Sequence, residues 1–177
     1  MSDIECRHYQ EDHWCAKTMN VRYINPVLTS ILNVLDAMAK IQAKPGKPVL
    51  KGDDIACGEV TGILSISNES HFVSFALTFT EAMILEIAFR MLHQRLSQIN
   101  PLVLDLTGEL ANMMTGGAKG LLEEQGFQFD MSLPAVVWGK DHIVAHKVTG
   151  PKILIPFKSD IGDFSVEICD GMLPMIL

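Results

Sequence analysis

The sequence predicts an α+β fold in which long helices cover one face of a mostly antiparallel sheet. Three observations carry that prediction. Residues 71–79, HFVSFALTF, set Val73, Phe75, Leu77 and Phe79 on one face and Ser74, Ala76 and Thr78 on the other, which is the period of a strand. Residues 101–124, PLVLDLTGELANMMTGGAKGLLEE, repeat their apolar positions at helical spacing instead. Ser67-Asn68-Glu69-Ser70, Gly139, Gly150-Pro151 and Gly162 punctuate the strand-like runs with turn chemistry.

In chain order, residues 1–18 stand apart as an N-terminal extension, polar and without a clear apolar period. Cys6, His8, His13 and Cys15 are metal-ligand types there, but their C-x-H-x4-H-x-C spacing matches no common zinc module. Tyr9 and Trp14 could instead fold the segment onto the domain or a neighbour. Residues 19–177 read as a single domain. Asn25 suits the cap of a first helix with Pro26 in its first turn and Val27, Ile31, Val34, Leu35 and Met38 inward. Lys44-Pro45-Gly46-Lys47-Pro48 breaks the chain into a loop. Residues 59–66 and 71–79 predict a hairpin. Thr80 then caps a helix over 81–96, with Ile84, Ala88, Met91 and Leu92 inward. After the helix at 101–124 come strands at 131–138, 152–157 and 164–168. Residues 139–148 fit either a long connection or an irregular strand. Two Asn-Pro pairs, Asn25-Pro26 and Asn100-Pro101, each precede a helix and then strands, which suggests two repeated halves. In an ungapped register Val34 falls opposite Glu109, and Ala37 opposite Asn112.

Composition narrows the functional classes. A chain of 177 residues with 48% hydrophobic content is long and apolar enough for a sizeable core. A net charge of −7 disfavours nucleic acid or an anionic membrane as the main partner. No apolar run approaches the roughly 20 residues of a membrane-spanning helix, and the N-terminus lacks a signal-peptide layout. Four scattered cysteines fit free thiols in a reducing cytoplasm.

The helix at 101–124 holds the candidate site. Val103, Leu106, Leu110, Met113, Met114, Gly117 and Leu121 form its predicted core side. Asp105, Glu109, Asn112, Gly116, Lys119 and Glu123 form one continuous polar stripe. Gly108, Ala111, Thr115, Gly116 and Gly117 keep the surroundings small, and a helical glycine costs roughly 1 kcal/mol against alanine. Tight packing on the core side would account for such residues; so would a partner approaching the backbone beside Glu109 and Asn112. A plain solvated face would account for the stripe alone. Nothing else forms a catalytic pattern. There is no G-x-S-x-G and no P-loop. His142 and His146 have metalloprotease spacing, but Ile143 stands where the glutamate belongs. His71, His93, His142 and His146 read as surface or capping histidines, and Trp138 as core or interface filling.

The segment GELANMMTGGAK resembles the CheC/CheX/FliY family of chemotaxis phosphatases, whose signature is Glu-x-x-Asn on a helix followed by small residues. The resemblance extends over about residues 19–170, through Met19–Pro26, Gly58–Ile66, Leu133-Pro134 with Val136-Val137, Ile155-Pro156-Phe157 and Gly162–Cys169. The single Glu-x-x-Asn resembles the CheX branch. That resemblance implies dephosphorylation of the phospho-aspartate of a CheY-like response regulator. Asn112 would orient the attacking water and Glu109 would pair with the partner's active-site lysine. Asp105, Gly108, Thr115, Gly116 and Lys119 would contact the partner around them. No cofactor would be bound by this chain, and the Mg2+ would sit on the regulator. A homodimer through strand-to-strand contact is implied as well. The residue types suit this chemistry by themselves. An acyl phosphate is already activated, so positioning a water in line is the main task, and an amide can both donate to that water and accept from it. The alternative is a non-catalytic module that uses the same helix to hold a response regulator or a motor-switch component.

Overall fold

The computed structural model describes residues 9–10, 21–68 and 72–171. The Cys6, His8, His13 and Cys15 pattern, Trp14, His71, and Glu69 and Ser70 of the predicted 67–70 turn lie outside the described residues.

The described elements are β1 (Tyr9–Gln10), α1 (Val21–Ala39), β2 (Ala43–Pro45), β3 (Val49–Lys51), β4 (Val60–Ser67), β5 (Phe72–Phe79), α2 (Glu81–Leu92), α3 (Pro101–Glu124), β6 (Asp130–Met131), β7 (Ala135–Trp138), β8 (Lys152–Ser159) and β9 (Asp163–Gly171). The strands form one sheet in the order β1-β3-β8-β9-β5-β4-β6, with β2 on β8 and β7 on β4. Every pairing is antiparallel. The α+β prediction therefore holds.

The repeat is visible in this topology. Hairpins β4–β5 and β8–β9 meet through β5 and β9. The short strands β2 and β3 pair with β8 of the other half, and β6 and β7 pair with β4. The ungapped Asn-Pro register does not hold, because Pro26 sits inside α1 while Pro101 opens α3. Ile24, just before Asn25, packs against the main core, so the helix runs through Pro26 at the loss of the one backbone bond that proline cannot donate.

Phe75, Phe79, Phe157 and Phe164 lead the main core, beneath Ile31 and Leu35 of α1, Ile84 and Ile87 of α2, and Leu110 and Met114 of α3. Met38 was expected inward but is exposed, and α2 stops at Leu92, where His93 takes a left-handed cap conformation. The second face of the sheet is covered too. Residues 139–149, which are a connection and not a strand, lie across it. Val144 packs there with Ala56, Ile63 and Ala76. His142 Nε2 meets Thr61 Oγ1 at 2.7 Å, and His146 bonds Ser74 Oγ and Glu167 Oε1 at 2.8 and 2.9 Å. These two histidines are therefore buried struts under a strap, not surface or capping groups.

Candidate functional site

α3 starts where its sequence says it should. The Asn100 side chain accepts a hydrogen bond from Val103 N at 3.1 Å, with Pro101 just inside the helix. The helix ends at Glu124, and Gly126 leaves it with φ +83.

Its buried side is Val103, Leu106, Thr107, Leu110, Ala111, Met114, Thr115, Ala118 and Leu122. That face is rotated from the expected one. Met113 is exposed, and Thr107 and Thr115 turn inward by satisfying their hydroxyls on Val103 O and Ala111 O at 2.8 and 2.6 Å. Thr115 is 1% exposed, so the structure corrects its expected role in contacting a partner. The threonine hydroxyl made it look polar, but its back-bond hides that polarity within the helix.

The small residues have separate explanations. A side chain on Gly62 of β4 would come 3.1 Å from Ala111 Cβ, so strand and helix lie close there. At Gly117 a Cβ would collide with Ser30 Oγ of α1, and Ser30 donates to Met114 O at 2.6 Å. Gly116 faces open space.

The polar stripe divides. Asp105, Gly108, Glu109 and Asn112 line a groove of about 560 Å³ with Leu104, Pro134, Val136 and Trp138. Asp105, Glu109 and Asn112 are all exposed. Among the described residues, none of these three side chains has a hydrogen-bond or ion-pair partner. Lys119 lies further along, 3.7 Å from Glu123, and lines a separate surface hollow with Phe127 and Phe129. Gly116 is exposed between the two. The β7 wall of the groove was not anticipated. Trp138 is 57% exposed, which rules out the core half of its core-or-interface reading.

A helical carboxylate and amide one turn apart, both free and both beside an open groove, can hold a cation and a water close together. Among the described residues, no histidine, cysteine or hydroxyl nucleophile lines this groove. Residues 60–158 match the family described as Chemotaxis phosphatase CheX. The chain belongs to that family. It is 29% identical over 126 residues to the CheY-P phosphatase CheX of Thermotoga maritima, covering 70% of this chain and 79% of that one. A CheC-like superfamily protein from Shewanella sp. PV-4 has 49% identity and a TM-score of 0.80, over 87% of this chain and all of the other. At 23% identity, the CheX–CheY–BeF3–Mg2+ complex from Borrelia burgdorferi shares the fold, with a TM-score of 0.69 over 85% of this chain and 98% of that one. Within this CheX family chain, Glu109 and Asn112 form one Glu-x-x-Asn motif on the exposed side of α3. No described helix is long and apolar enough to cross a membrane.

Proposed function

We propose that this chain hydrolyses the phospho-aspartate of a CheY-like response regulator. The observation that carries the reading is the pair itself: Glu109 and Asn112 stand one turn apart, exposed and unpartnered, in one groove. The Asn112 amide holds a water in line with phosphorus, donating to it and accepting from it. The water oxygen bonds to phosphorus as the bond to the aspartate oxygen breaks. Inorganic phosphate and a free carboxylate result. The Glu109 carboxylate pairs with the regulator's active-site lysine in a charge-assisted bond and fixes the approach. Mg2+ stays on the regulator and offsets charge on the phosphoryl oxygens. Asp105, Gly108, Gly116 and Lys119 extend the contact along α3.

This reading places the chain in the cytoplasm with its regulator. It also includes a homodimer formed by strand-to-strand contact at an end of the sheet, which would cover an open edge. Light scattering at micromolar concentration tests the dimer, and a monomer would contradict it. The activity is tested by the decay of a phosphorylated CheY-like protein with and without this chain. Binding without acceleration would leave a non-catalytic holding module.

A further inference from the structure

The groove beside Glu109 and Asn112 has two unlike walls. One is α3, with Asp105 and Glu109 as unpaired anions. The other is β7 and the residues before it, where Pro134, Val136 and Trp138 present apolar surface. Gly108 leaves the floor between the walls without a side chain; a Cβ there would lie in ordinary van der Waals contact with Val136 Cγ2, at 3.6 Å. Trp138 is 57% exposed and Leu133, just before Pro134, is 87% exposed. Large exposed apolar groups beside unpaired charges suit a partner surface.

The Trp138 end of β7 is also held in place. Gly139 N donates to Glu59 O at 2.9 Å, in the turn directly after Trp138. His142 Nδ1 meets Gly139 O at 2.8 Å, while its Nε2 meets Thr61 Oγ1, which in turn meets Thr78 Oγ1 at 2.8 Å. A carbonyl can only accept, so Nδ1 carries the proton, and in the neutral ring Nε2 accepts from Thr61. A buried chain of three side chains thus anchors the turn that aims an exposed indole. Rigid aromatic surface loses little freedom when a partner covers it.

We propose that Trp138 is the anchor of the regulator-docking surface, and that the β7 wall selects the regulator. This rests on the phosphatase reading above. The occupant is the regulator segment beside its phospho-aspartate, bearing a lysine and an adjacent apolar side chain. The lysine meets the Glu109 and Asp105 side of the groove, and the apolar group covers Trp138. The groove supports this choice because it is continuous with the reactive pair and its charge complements a cation.

The experiment compares the wild type with Trp138→Ala, Trp138→Gln, Trp138→Phe and Asn112→Ala. It measures hydrolysis of one phosphorylated CheY-like protein over a range of concentrations. Direct binding of the same regulator loaded with beryllofluoride and Mg2+ is measured alongside. The two truncations should raise KM about tenfold or more while kcat changes little, weaken binding in parallel, and be largely rescued by phenylalanine. Because Trp138 is exposed on a short strand, thermal melts of these variants should stay near the wild type. Wild-type KM and binding in both truncations, with Asn112→Ala inactive, would overturn the docking assignment and leave the phosphatase reading intact. No hydrolysis by the wild type, with binding still lost in the truncations, would overturn the phosphatase reading alone.

Discussion

Lys51 Nζ lies 2.6 Å from Glu167 Oε2, with side-chain exposures of 5% and 2%, on the face of the sheet that the strap covers. His146 closes the other carboxylate oxygen at 2.9 Å, and Asp53 stands 3.8 Å from the ammonium. Removing one partner of a buried pair strands the other charge. Lys51→Met should therefore cost about 3–5 kcal/mol in urea unfolding. Joining it to Glu167→Met should recover much of that loss, which a double-mutant cycle would measure.

The same carboxylate should make stability depend on acid. Burial alone would raise the Glu167 carboxyl. The His146 hydrogen bond, together with the charge and hydrogen bond of Lys51, outweighs it, so the carboxyl sits below its usual range. A depressed folded value means that ionised Glu167 stabilises the fold fully above the unfolded carboxylate range, near pH 4.3. That contribution is lost as pH falls further, through the folded value. Urea midpoints should fall less steeply between about pH 4.5 and 3 for Glu167→Gln than for the wild type. Parallel curves would contradict the assignment.

Close packing of α3 on β4 gives a further prediction. Ala111 is 2% exposed, and a Cβ on Gly62 would stand 3.1 Å from its methyl. Ala111→Leu should cost about 1–3 kcal/mol by overpacking. It should also lower hydrolysis, because Asn112 is the next residue and a shift of α3 would misplace it. Thermal melts and phosphoregulator decay rates would check both effects.

How much of this was legible in the sequence varies by element. The β5 alternation and the α3 period gave the fold class, since each depends on one element's own residues. The Asn100 cap and Gly126 stop were legible for the same reason. Glu167 was not. It alternates with Val166 and Ile168 as a solvent-facing residue would, and its partner Lys51 is 116 positions away. His142 and His146 were misjudged because a strap carries no periodicity of its own. Thr115 was misplaced because a hydroxyl satisfied within its own helix can face the core. Spacing placed Glu109 and Asn112 on a polar stripe and the family resemblance singled them out of it, while the β7 wall opposite them was missed because only tertiary pairing with β4 brings Trp138 there.

In the proposed mechanism Asn112 positions the water while Glu109 fixes the docking. Both side chains are exposed on α3, so alanine at either site should shift stability by no more than about 0.5 kcal/mol. Glu109→Ala should weaken both docking and rate, since its proposed charge-assisted contact would already form in the ground-state complex. The most direct measurement is single-turnover decay of a phosphorylated CheY-like protein at saturating Asn112→Ala variant, with its binding measured in parallel. Binding should be nearly unchanged and most of the rate lost, because the amide would act chiefly in the transition state. Decay at the wild-type rate would contradict that role.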